Sequence, residues 1–237
     1  MTITDTSTIS LRALRWPIVA LFGALLADLF ETFVDPVNSG VSEKVYTGAV
    51  HEGRMVASAV ALLLTALVVP AVWGLTRPLT GRGRILGRIA ACLALLGALG
   101  DAALSMLYLV WIQVPKGDAD RAAMISLLDR ITNAGTTGIV VPLFNAFPLA
   151  FLALFASYVR ARIASRWILV PVVAAPLCAI VLPAGDVAKT ATALTCLLTA
   201  SVGLVLGIRS AAGRNAVAAE VCVDSTQAPV APVLATA

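Results

Sequence analysis

Residues Trp16–Val34 read WPIVALFGALLADLFETFV, and Ile89–Trp111 read IAACLALLGALGDAALSMLYLVW. Each run is long enough to cross a hydrocarbon core, which takes about 20 apolar residues in a helix. Each is also interrupted by acid, Asp28 and Glu31 in the first and Asp101 in the second. A carboxylate at such depth costs roughly 2.5–3.5 kcal/mol on insertion scales, so it marks a candidate functional site. These two stretches set the expected fold class, an all-α integral membrane protein.

Working outward, the pattern recurs. Apolar stretches cover 16–34, 55–75, 85–111, 139–158, 167–183 and 187–208. The expectation is a six-transmembrane-helix bundle over 16–208, with a polar cytoplasmic leader at 1–15 and a disordered cytoplasmic tail at 213–237. Composition agrees. The 237 residues are 59% hydrophobic and 13% charged, against about 25% charged in a soluble domain, and the mean hydropathy is +0.94. The fifth stretch is the shortest and holds Pro171 and Pro176; Pro142 and Pro148 predict a kink in the fourth. Arg12 and Arg15 precede the first run as in a signal peptide. Asp28 and Phe30 stand where a small-residue cleavage site would be, so an uncleaved anchor is expected.

Arginine sets the expected orientation. Arg12, Arg15, Arg77, Arg82, Arg84, Arg88, Arg160, Arg162, Arg166, Arg209 and Arg214 fall on one side, leaving six of the 17 basic residues for the other. The positive-inside rule then puts both termini in the cytoplasm of a multi-pass plasma (inner) membrane protein. Ten of the 13 acids lie in the outer half or outer loops, all but Asp5, Glu220 and Asp224. The net charge of +4 reflects this topogenic arginine, which also meets anionic lipid heads. Membrane lipids are the expected partners, and nothing argues for nucleic acid. Trp16, Trp73 and Trp167 fall at inner ends and Trp111 at an outer end, the positions of interfacial belts.

The second outer connection contains a helical pattern over 120–133. Met124, Leu127, Leu128 and Ile131 share one face, while Arg121, Asp129, Arg130 and Asn133 take the other. Asp118 or Asp120 can cap its start and Gly135 can stop it. The prediction is a short amphipathic helix in the outer interface, covering the bundle mouth. Gly203-x-x-x-Gly207 predicts close internal helix packing. Cys178 and Cys196 reach similar depth on neighbouring helices, where small buried hydrophobes are the expected role.

The acids sit at the ends of two small-residue stripes. Ala20, Ala24, Asp28, Glu31 and Asp35 share one helical face, as do Ala90, Ala94, Gly97, Asp101, Ser105 and Tyr108. At 1.5 Å per residue, Asp28 and Asp101 each lie about 18 Å from the inner boundary. That is just outside the midplane of a core about 30 Å thick. The first and third membrane helices are expected to pack through their small residues and bring Asp28, Glu31 and Asp101 to one outward-facing acidic cavity. Asp35, His51, Glu52 and Asn145 are further binding or proton-relay candidates. Arg54 or Lys189 would neutralise an acid if the cluster were only a structural ion pair.

Asp28, Glu31, Asp35 and Glu52, with water, would make a hard divalent-cation site. No other cofactor is implied. His51 is the sole histidine, so a haem held by two histidines of one chain is impossible. His51-Glu52 lacks the second histidine of a zinc-protease helix, because position 55 is Met. No Ser-His-Asp arrangement, phosphate-binding glycine loop or CxxC is present. Three functions survive. The first is a small proton- or cation-linked carrier or binding protein, since neighbouring acids in low dielectric resist joint ionisation. The second is a membrane-embedded enzyme on a lipid or isoprenoid, with Phe30, Phe33, Phe144, Phe147 and Phe151 lining its pocket. The third is a non-catalytic subunit or sensor whose acids set helix register.

Overall fold

The computed structural model describes residues 11–35, 51–113, 120–133, 143, 146–181 and 186–226. Among them every regular element is helical: α1 (Leu11–Val34), α2 (Glu52–Thr65), α3 (Val68–Thr76), α4 (Arg84–Gln113), α5 (Arg121–Asn133), α6 (Ala146–Arg160), α7 (Leu169–Val181) and α8 (Asp186–Thr226). Two short 3-10 turns, Gly81–Gly83 and Arg166–Ile168, precede α4 and α7.

Four helical stretches are long and apolar enough to cross a membrane: Arg12–Val34, Glu52–Thr76, Gly81–Gln113 and Val187–Arg214. The remaining two apolar segments are shorter, Ala146–Arg160 and Arg166–Cys178. Residues 134–142 and 144–145, which include Pro142, Phe144 and Asn145, lie outside the described residues. The kink expected from Pro142 and Pro148 therefore turns on residues outside the described ones.

The second apolar run is broken in the middle by Pro70. A proline cannot donate to the carbonyl four residues back, which here is Ala66. Around it the backbone tightens: Ala66 N–H donates to Leu63 O, and Leu67 N–H donates to Leu64 O. The helix resumes at Val68. In α7, Pro176 likewise has no N–H to offer the Val172 carbonyl.

The helices form a ring. α1 packs on α2 and α3, these pack on α4, α4 on α6, α6 on α7, α7 on α8, and α8 returns to α1. This corrects the expected pairing of the two acid-bearing helices. α1 and α4 are held apart by α2 and α3. The small residues serve other contacts. A Cβ at Gly97 of α4 would lie 2.8 Å from the Phe147 ring of α6, and one at Gly74 of α3 would strike the Pro17 ring of α1. Gly203 and Gly207 pack against Ile168 and Ala164, so the Gly-x-x-x-Gly pair serves internal packing.

The interior of the ring, at the arginine-rich end, is filled by Leu21, Leu75, Leu79, Phe155, Tyr158, Leu204 and Ile208. Tyr158 also donates to Leu75 O at 2.5 Å, tying α6 to α3. At the other end a second cluster joins Met55, Ala59, Leu62, Tyr108, Trp111, Ile112 and Leu128. Leu128 belongs to α5, whose start is capped by Asp120 accepting from Ala122 N–H. Trp16, Trp73 and Trp167 are well exposed, as interfacial residues are. Trp111 is not: it is 6% exposed and packs against the Tyr108 ring at a centroid distance of 5.3 Å. The expected outer belt residue is instead a core residue, roofed by Leu128.

The last helix also departs from expectation. It continues beyond Ile208 and Gly213 to Thr226, through a segment first read as tail. Alanine supplies the reason, since it has the best helix propensity and Gly213 alone costs only about 1 kcal/mol.

Candidate functional site

A cavity of about 350 Å³ occupies the middle of the ring. All six apolar segments contribute to its wall. α1 supplies Ala24, Leu25 and Asp28. The second segment supplies Thr65 and Val68, one from each side of its break, and α4 supplies Asp101. Phe147, Pro148 and Phe151 come from α6, and Val172, Ala175 and Pro176 from α7. α8 closes the ring with Thr190, Ala193, Leu194 and Leu197. Among the described residues the wall is therefore apolar apart from two carboxyls and two hydroxyls, and no Lys or Arg lines it.

Asp101 is 2% exposed. Its Oδ2 accepts a hydrogen bond from the Thr65 hydroxyl, while its Oδ1 has no partner. The Thr65 hydroxyl also lies 2.6 Å from Leu62 O. That carbonyl loses its usual helix donor because Ala66 N–H turns to Leu63 O. The Pro70 break thus explains why a threonine stands at 65: it serves the broken helix and the buried acid together. One turn further along α4, the Ser105 hydroxyl donates to Ala59 O at 2.9 Å, fixing α4 to α2.

The other acids of α1 climb away from the cavity towards the second cluster. Glu31 Oε1 accepts from the Tyr108 hydroxyl at 3.4 Å, and Asp35 also faces that hydroxyl. Asp28 and Glu31 lie near enough to feel one another's charge, and Asp28 and Asp101 do too. The Thr32 hydroxyl donates to Asp28 O at 3.0 Å, within α1. The structure therefore brings Asp28 and Asp101 to one cavity, with Glu31, Tyr108 and Asp35 in a polar stack beside it.

Other candidates fall elsewhere. His51 and Glu52 are exposed at the start of α2, away from the cavity wall. Asn145 lies outside the described residues. Arg54 does not neutralise a cavity acid: its Nε donates to Val34 O at 3.2 Å, capping the end of α1. Among the described residues no three of His, Cys, Asp or Glu come together as a metal-holding group. The four-carboxylate cation site thus has no geometric support. Phe30 and Phe33 project outward and are exposed, while Phe147 and Phe151 line the cavity. The helical period decides this, because Phe30 and Phe33 lie off the face that carries Asp28.

Sequence reasoning passed over Thr65, Thr190 and Pro176. For Thr65 a signal existed. It is the one hydroxyl inside the run Ala59–Val69, a few residues before Pro70. For Thr190 and Pro176 the pattern held no comparable mark, since hydroxyls are frequent in α8 and prolines in α7. Comparison with known proteins adds no relative: the chain matches no family model, no curated protein and no solved structure.

Proposed function

We propose that this chain is a small proton-linked carrier or binding protein of the membrane, whose ligand site is the central cavity. The observation that carries the reading is the placement of Asp28 and Asp101 on one apolar-walled cavity with no basic residue among the described residues of its lining. Two carboxyls in such a medium cannot both hold charge cheaply. Their ionisation is then coupled to whatever enters, so binding of a cation displaces protons and protonation releases it.

In this reading the protein spans the membrane six times with both termini cytoplasmic. The four long helices are joined by α6 and the α7 segment as the two remaining spans. The arginine bias supports that orientation, and it places the filled end of the ring at the cytoplasmic side and α5 in the outer interface of the plasma membrane. The cavity then opens outward, towards the acid-rich face. A second reading, an enzyme acting on a lipid or isoprenoid, draws support from Phe147 and Phe151 in the wall. It would use the two carboxyls as general acid and base.

The test is chemical and needs no ligand. Dicyclohexylcarbodiimide is apolar and adds to protonated carboxyls. Peptide mass spectrometry of the treated, membrane-embedded chain should find adducts on Asp28 or Asp101, lost in Asp28→Asn and Asp101→Asn. Labelling confined to exposed acids such as Glu52 would overturn the reading. Turnover of an added lipid by the purified protein would favour the second one.

A further inference from the structure

We infer that the cavity takes a protonated organic amine: one ammonium head on a compact apolar body. The inference rests on the cavity being the ligand site and goes on to name the ligand's chemistry.

The wall has an asymmetry between acceptors and donors. It offers acceptors at the two carboxyls of Asp28 and Asp101. Among the described residues it offers no Lys, Arg, His, Asn, Gln or Trp donor, because none of these lines it. The donor that does reach the polar end, the Thr65 hydroxyl, is already engaged with Asp101 Oδ2 and Leu62 O. A ligand suited to this wall brings donors and positive charge. Anions find nothing to pair with.

The second observation is independent of the count of acids. Asp101 Oδ1 is buried without any partner, on a side chain 2% exposed. A buried oxygen of this kind costs about 1–3 kcal/mol when unsatisfied. Such an atom in a folded chain calls for an explanation, and a functional role is one. An ammonium N–H would satisfy the oxygen with a charge-assisted bond, about twice as strong as a neutral one.

Size and wall chemistry settle the rest of the ligand. The cavity, at about 350 Å³, is at the small end of sites that hold organic molecules, roughly 300–1,000 Å³. Hydrated inorganic cations would leave its apolar wall wetted and unused. Phe147 and Phe151 instead suit a hydrocarbon or aromatic body, and a ring face beside an ammonium adds cation–π attraction.

Three probes of one shape separate the possibilities: 4-phenylbutylamine, 4-phenylbutanol and 4-phenylbutyrate. Each is titrated calorimetrically at neutral pH into the full chain in lipid nanodiscs, with empty nanodiscs subtracted. The amine should bind at least tenfold more tightly than the alcohol, and the carboxylate should not bind. Asp101→Asn should weaken the amine at least tenfold and leave the alcohol within threefold. Ala193→Phe, which fills the cavity from α8 and spares both acids, should abolish amine binding even if Asp101→Asn fails to fold. The amine should also slow carbodiimide labelling of Asp28 and Asp101. Equal binding of alcohol and amine, absence of amine binding, or amine binding indifferent to both variants would overturn the inference. If the acids are labelled but the amine neither binds nor protects, the ligand class is wrong and the cavity reading stands. If they are not labelled at all, the cavity reading itself fails.

Discussion

Replacing Thr65 by valine removes a hydroxyl at nearly constant volume. In the folded chain that hydroxyl is the partner of Asp101 Oδ2, and Asp101 Oδ1 has none. Thr65→Val therefore leaves a buried carboxyl with no hydrogen bond on either oxygen. Stranding a buried polar group costs about 1–3 kcal/mol. In membranes the unfolded helices find substitute partners, and measured side-chain bonds average about 0.6 with a maximum near 1.7 kcal/mol. The lower range applies here, so we expect a loss of about 1–1.5 kcal/mol, a roughly five- to twelvefold change in the folding constant. Thr65→Ser keeps the hydroxyl and should cost less than about 0.5 kcal/mol. The decisive comparison is a double-mutant cycle. In an Asp101→Leu background no carboxyl is left to strand, so Thr65→Val should lose only its bond to Leu62 O there, and the coupling should approach about 1 kcal/mol. Equilibrium unfolding in mixed micelles, followed by tryptophan fluorescence, measures all four corners. A cost of Thr65→Val that is the same in both backgrounds would refute the Thr65–Asp101 contact and, with it, the polar end of the cavity.

Other consequences are separately testable. Gly97→Val pushes a side chain into the Phe147 ring, which a Cβ would already meet at 2.8 Å; it should lower stability by about 1–3 kcal/mol, read as a drop in Tm. Ser105→Ala breaks the bond to Ala59 O and should cost up to about 1.7 kcal/mol in the same unfolding assay; no change would mean that α4 is not held to α2 there. Cys178 and Cys196 lie near enough across the α7–α8 interface to perturb one another, so copper phenanthroline should join them, as mass spectrometry of linked peptides would report, and Cys178→Ser should prevent the link. Cysteine introduced at Asp118 in a cysteine-free chain should react with impermeant maleimide on intact cells, whereas one at Ser210 should react only after lysis; the reverse pattern would invert the proposed orientation.

Much of the architecture was legible because bilayer physics constrains sequence strongly. Apolar runs, arginine clusters and the 120–133 amphipathic pattern each follow from a one-dimensional requirement: satisfy the backbone in a helix, face lipid with hydrocarbon, and keep cations at one surface. The singular cost of Asp28 and Asp101 made them visible for the same reason. Trp111 was misplaced because a tryptophan at a helix end looks alike whether it meets lipid heads or a roof such as α5. Phe30 and Phe33 were grouped with the cavity by residue type, although their turn of the helix sends them outward.

What the sequence alone determined, then, is the all-helical character and the apolar segments long enough to cross a membrane. These depend on each segment's own hydropathy and rise per residue. The tertiary structure alone decided which helices are neighbours. Small residues permit close packing without naming the partner, so the stripe on α4 met Phe147 of α6 rather than α1. Only the closure of α8 onto α1 turns six segments into a ring, and the ring places Asp28 and Asp101, on separate helices, at one cavity. It is likewise the fold that sets Thr65 against Asp101, across 36 residues of chain, and leaves Asp101 Oδ1 without a partner among the described residues.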